Sequence, residues 1–104
     1  MIEVKPQEII DNKVCFIATE DGENTGTCQI LLDGYYVEIL SVIAPEDKPY
    51  ISELLLRSAL NYAANRNAYM ARTKLNDFPQ FSFEKKEDYY ESDIPSLLVG
   101  SCGG

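Results

Sequence analysis

A chain of 104 residues, 45% of them hydrophobic, has room for one packed core but not two, so a single domain over residues 1–104 is expected. Nine basic residues against seventeen acidic ones leave a net charge of −8, a field that repels nucleic acid and anionic lipid and argues against both as partners. No run approaches membrane-spanning length and no charged-then-apolar leader opens the chain, so a soluble, cytoplasmic protein is expected.

Histidine is absent, which removes the usual proton carrier near neutral pH and any Ser-His or Cys-His nucleophile pair. Cys15, Cys28 and Cys102 are odd in number and widely spaced, without a CxxC pair. Neither a disulfide framework nor a metal site is expected from them. Acid–base chemistry would fall to a carboxylate, a tyrosine, a shifted lysine or thiol, or the substrate itself.

In chain order, "MIEVKPQEIIDN" leaves room for a short strand or a single helical turn. Three β-rich runs follow, over residues 13–19, 27–32 and 35–43, separated by "EDGENTG" and by the Asp33-Gly34 pair. Asp-Gly between two such runs signals a hairpin, so an antiparallel meander is expected. The third run holds Glu38 among apolar neighbours and reads as a central strand buried on both faces. Residues 49–66 form an amphipathic helix: Ile51, Leu54, Leu55, Ser58, Ala59, Tyr62 and Ala63 share one face, which Leu56 and Leu60 widen. Pro49 suits its first turn, and Asn67 suits the left-handed position after its end. "AYMARTKL" reads as a returning strand and completes a right-handed βαβ unit. "NDFPQFSF" suggests a short helical turn around Pro79, and "FEKKEDYYESDIPSLL" a polar hairpin turning near Glu87-Asp88 that runs into an apolar tail. Residues 99–104 read as a flexible end. The order β-β-β-α-β-(short α)-β-β describes an α+β domain: a mixed, mostly antiparallel twisted sheet with one principal helix.

"GYYVEILSVIAP", "SELLLRSALNYAANRNAYMARTK" and "FSFEKKEDYY" together resemble the GNAT superfamily of acyl-CoA-dependent N-acyltransferases, over about residues 13–98. The resemblance implies transfer of an acetyl group from acetyl-CoA to a small amine. It implies a central strand that splays from its parallel neighbour, with pantetheine in the gap near Val42 and Ile43. It also implies a diphosphate held at the start of the long helix by the segment of Lys48, Tyr50, Ile51 and Ser52, and a strand carboxylate, Glu38, as base. Two helices that wall the acceptor site in such proteins have no counterpart here, so the fold is expected without them and a homodimer is expected to supply the cover.

The loop departs from the family's glycine-bearing pattern. In "APEDKPYIS", Pro45 and Pro49 lack amide hydrogens, Glu46 and Asp47 repel an anion, and only Lys48 favours one. An ordinary acidic helix start accounts for the same residues. Glu38 likewise fits a strand glutamate capped by Arg72 or Lys74, and no tyrosine in "NDFPQFSF" stands where the family keeps its acid. The residues therefore leave open an acyltransferase of weak or no activity and a non-catalytic binding or assembly module of the same fold. The terminal Gly-Gly adds a third reading, a carrier protein activated at its end.

Overall fold

The computed structural model describes residues 2–75 and 83–102. Four strands run as a continuous meander: β1 (Ile2–Ile10), β2 (Lys13–Glu20), β3 (Glu23–Asp33) and β4 (Tyr36–Ile43). Helix α1 (Pro49–Ala64) crosses to β5 (Met70–Thr73), and β6 (Glu84–Lys85), β7 (Tyr90–Asp93) and α2 (Ile94–Cys102) complete the chain. The seven strands form one sheet in the order β1-β2-β3-β4-β5-β7-β6, with β4 and β5 its parallel pair. The mixed sheet with one main helix matches the expected architecture.

Each hairpin turn is set by residues that tolerate a positive φ. Asp11 and Asn12 stand at 41° and 67°, Asp21 and Gly22 at 53° and 87°, which gives the two-residue turns whose twist suits paired strands. Gly34 alone is positive (58°) in the β3–β4 turn, the pattern that needs glycine first. The β2–β3 loop is thus far tighter than "EDGENTG" suggests. Its polar residues belong to β3, which carries a bulge at Thr25: Ala18 faces Gly26 and Thr19 faces Asn24. The opening segment, too, is a full nine-residue strand, joined to β2 by that first tight turn.

Strand alternation sends Val14, Phe16 and Ala18, Cys28 and Ile30, Val37 and Ile39, and Ala71 to one face, all buried. Helix α1 lies on that face through Ile51, Leu55, Leu56, Ala59, Leu60 and Ala63. Leu56 and Leu60 therefore sit at the middle of the contact, while Leu54, Ser58 and Tyr62 flank it, half-buried. The helix starts on Pro49 and ends as Asn67 (φ 75°) turns left-handed, with the Asn67 and Ala68 amides donating to the Ala64 and Ala63 carbonyls. Gly26 lets the layers meet: a Cβ there would stand 2.7 Å from the Ile43 carbonyl oxygen and within 3.2 Å of Leu55.

Strand β4 is central, as expected, but only its helix-side face is buried. Tyr36, Glu38, Leu40 and Ser41 are half-buried and Ile43 is 66% exposed, because no helix among the described residues covers the second face. The apolar tail expected after the last strand is helix α2, started by Asp93, whose carboxylate accepts the Ser96 amide at 2.8 Å. Ile94 and Leu97 join the core beside α1. The turn expected around Pro79, the last two glycines and the Cys102 side chain lie outside the described residues. No helix among them is long and apolar enough to cross a membrane.

Candidate functional site

Strands β4 and β5 pair from Tyr36↔Met70 to Ile39↔Thr73, and there the ladder stops. A bulge in β4 marks the point. Gln29 of β3 faces Ser41 and Ile30 faces Ile39, so Leu40 is the extra residue. Beyond it, Ser41, Val42 and Ile43 stay paired with β3, and their opposite edge has no strand partner on β5. Thr73 fixes the divergence from inside: its hydroxyl donates to the Ile39 carbonyl at 3.0 Å and accepts the Leu75 amide at 3.1 Å, with the side chain 1% exposed. The sequence gives no glycine or other mark for this bulge, and one threonine in "MART" is its only trace.

At the far end of the open edge, several of the groups at the helix start that could meet an anion are missing or already engaged. Pro45 and Pro49 carry no N–H; the Lys48 amide donates to the Pro45 carbonyl (3.2 Å) and the Ile51 amide to the Lys48 carbonyl (3.0 Å). The Ser52 hydroxyl donates to the Pro49 carbonyl (3.0 Å), and the Ile51 side chain is fully buried under the sheet. Lys48 points back to β2, where its ammonium meets the Glu20 carboxylate at 3.1 Å. That hydrogen bond, with the charge behind it, raises the Lys48 pKa above the ordinary lysine value. Tyr50 is half in solvent. Val42 and Ile43 thus stand on the open edge, whereas Lys48, Tyr50, Ile51 and Ser52 gather at a corner where the Lys48 and Ile51 amides, the Ser52 hydroxyl and the Lys48 ammonium already have partners within the protein.

Glu38 lies on the other side of the fork, on the face away from α1. Beside it on β5 is Arg72, and Glu91 of β7 follows in the same row. Neither Arg72 nor Lys74 caps Glu38: among the described residues no ion pair reaches it. The Arg72 guanidinium carbon sits over the Tyr36 ring instead, 3.9 Å from its centre. Glu38, Arg72, Lys74 and Tyr89 surround a depression of about 210 Å³ with Thr73 at its base. Tyr89 comes to this place because β7 runs antiparallel to β5, a consequence of strand order that spacing along the chain does not reveal.

The thiols offer nothing comparable. Burial pushes Cys28 up to about 12 and raises Cys15 as well, so both favour the protonated form.

No family model and no curated protein matches the sequence. Solved structures do match the fold. The ribosomal-protein-S18-alanine N-acetyltransferase from Escherichia coli superposes with a TM-score of 0.78 over 90% of this chain and 94% of that one, at 8% identity. A GNAT family acetyltransferase from Elizabethkingia anophelis with acetyl-CoA bound gives 0.68 over 83% and 78%, at 13% identity. The PaiA N-acetyltransferase from Thermoplasma acidophilum, in complex with coenzyme A, gives 0.64 over 79% and 61%, also at 13%. The chain has the fold of the GNAT acetyltransferases, as its strand order and forked centre had indicated.

Proposed function

We propose that this chain is an N-acyltransferase of low catalytic power, moving acetyl from acetyl-CoA to a small amine at the β4–β5 fork. The open edge of β4 beyond the Leu40 bulge is the observation that carries the reading, because backbone groups without a strand partner suit an extended amide-bearing arm. Acetyl-CoA supplies the activated thioester: the free amine nitrogen forms the new C–N bond, the C–S bond breaks, and the proton shed by the acylated nitrogen goes to the departing coenzyme A thiolate. Glu38 takes the proton from the ammonium so that the nitrogen lone pair is free. Thr73 holds the fork in shape. Val42 and Ile43 flank the arm, and Lys48, Tyr50, Ile51 and Ser52 border a diphosphate that they grip poorly.

The weak corner yields a test. Acetyl-pantetheine, which lacks the diphosphate and nucleotide, should bind within about tenfold of acetyl-CoA in calorimetry, since the missing groups contribute at most about 1.4 kcal/mol. A preference of several hundredfold for acetyl-CoA would sink the idea of a poor grip. Glu38→Gln should cut turnover by about a hundredfold or more with donor binding unchanged, and undiminished turnover would exclude it as base.

The Lys48–Glu20 pair favours a second reading, in which the fold persists as a binding module without the reaction. Millimolar coenzyme A separates the two, since tenfold excess over Kd stabilises by about 1.4 kcal/mol and absence of any shift leaves only the module. In either case a homodimer would cover the half-buried second face, and sedimentation should give twice the mass of the chain.

A further inference from the structure

The depression beside Glu38 has a charge pattern ill-suited to a bare amine. Arg72 on β5 and Lys74, just past the strand's end, line the same depression as Glu38. A cationic amine entering here meets two like charges and one carboxylate. Three lysines elsewhere are paired: Lys5 reaches Glu3, Lys48 reaches Glu20, and Lys86 reaches Glu84. The side chains of Arg72 and Lys74 make no hydrogen bond or ion pair among the described residues, although Glu38 and Glu91 flank Arg72 across the strands. The guanidinium is nonetheless seated over the Tyr36 ring, a contact that limits its motion and leaves less freedom to lose on binding.

We propose that the acceptor is a zwitterion, a small amino acid or similar amine with a carboxylate a few bonds from its nitrogen. The carboxylate lies on Arg72 and Lys74, and the ammonium faces Glu38. The size permits it: about 210 Å³, the volume of about seven waters at liquid density, has room for a small amino acid with water beside it. Arg72 acts as the specificity residue, and Tyr36 positions it. The fate of the amine rests on the acyltransferase reading; the binding of the zwitterion rests on this depression alone.

The test is an NMR titration of the full chain with glycine, alanine, serine and β-alanine, and with ethylamine and ethanolamine as carboxylate-free partners. The amino acids should bind, with shifts centred on β4, β5 and β7, and the amines should bind about tenfold or more weaker. Arg72→Ala and Lys74→Ala should each weaken amino-acid binding by a similar factor, while Arg72→Lys, which keeps charge but not the fork, should fall between. Amide spectra of the variants check that they remain folded. Equal or tighter binding of the amines, full affinity in folded Arg72→Ala, or no binding by any amino acid overturns the proposal. An acetyl-transfer assay keeps the two readings apart. Arg72-dependent binding without transfer sinks the acyltransferase reading and leaves this one standing, whereas transfer to ethylamine as fast as to alanine does the reverse.

Discussion

Single residues set the fork. Thr73 serves the Ile39 carbonyl and the Leu75 amide with one buried hydroxyl, where two strands separate and their backbone groups lose each other. Thr73→Val keeps the shape and deletes both bonds, so it should cost about 1–3 kcal/mol in denaturant unfolding; a variant as stable as the parent would show that water replaces the hydroxyl. Cys28 tests the core from another side. The folded protein holds its proton up to about 12, whereas the unfolded thiol releases it near the ordinary value of 9.0. Between those limits the folded state binds more protons, so stability is full below pH 9 and falls as pH rises, by up to about 1.4 kcal/mol per unit. Cys28→Ala should flatten that alkaline slope even as it lowers stability near neutrality, and an unchanged slope would assign the loss to other groups. The partners of Thr73 could not be read from the residues alone, because a threonine in a short strand does not announce which face it takes. Cys28, in a β-rich run, does read as a small core residue, and it is buried.

Among the elements, the legible ones carried local signals that the tertiary structure did not override. The apolar spacing from Ile51 to Ala63, Pro49 ahead and Asn67 behind define α1 to within two residues. The Asp33-Gly34 turn is equally direct. Strand β1 was legible only as a short strand or a single helical turn, because Pro6 and alternating charge, which suit the edge of a sheet, shorten the apparent run. Helix α2 was hidden for a different reason: its residues are apolar all round, and its start signal (Asp93 followed by Pro95) is brief. The Leu40 bulge has no sequence mark because a partner strand creates it. The β1–β2 turn gives the prediction at this scale. Asn12 sits at φ 67°, so Asn12→Val forces a branched side chain into the left-handed region and should cost about 1–2 kcal/mol, while Asn12→Gly should be nearly neutral. Equal thermal stability of the two variants would mean the turn is not held as described.

For the molecule as a whole, a charge of −8 on a chain this small makes self-repulsion a global term. Most acids lie at the surface, where salt at 0.15 M screens beyond about 8 Å. The melting temperature should therefore rise between 0.01 and 0.15 M sodium chloride, and a fall would show that attractive pairs such as Lys48–Glu20 outweigh the repulsion. The same negative field surrounds Arg72, whose guanidinium sits over Tyr36 and pairs with no carboxylate among the described residues. The tight corner at Asp11 and Asn12 has an engineering consequence. The ends of β1 and β2 are already fastened side by side there, so a helical hairpin spliced into that corner would meet anchored stems and sacrifice only the entropy of closing a longer loop. A chimaera carrying such an insert could be endowed with an acceptor wall while its sheet kept its present alignment.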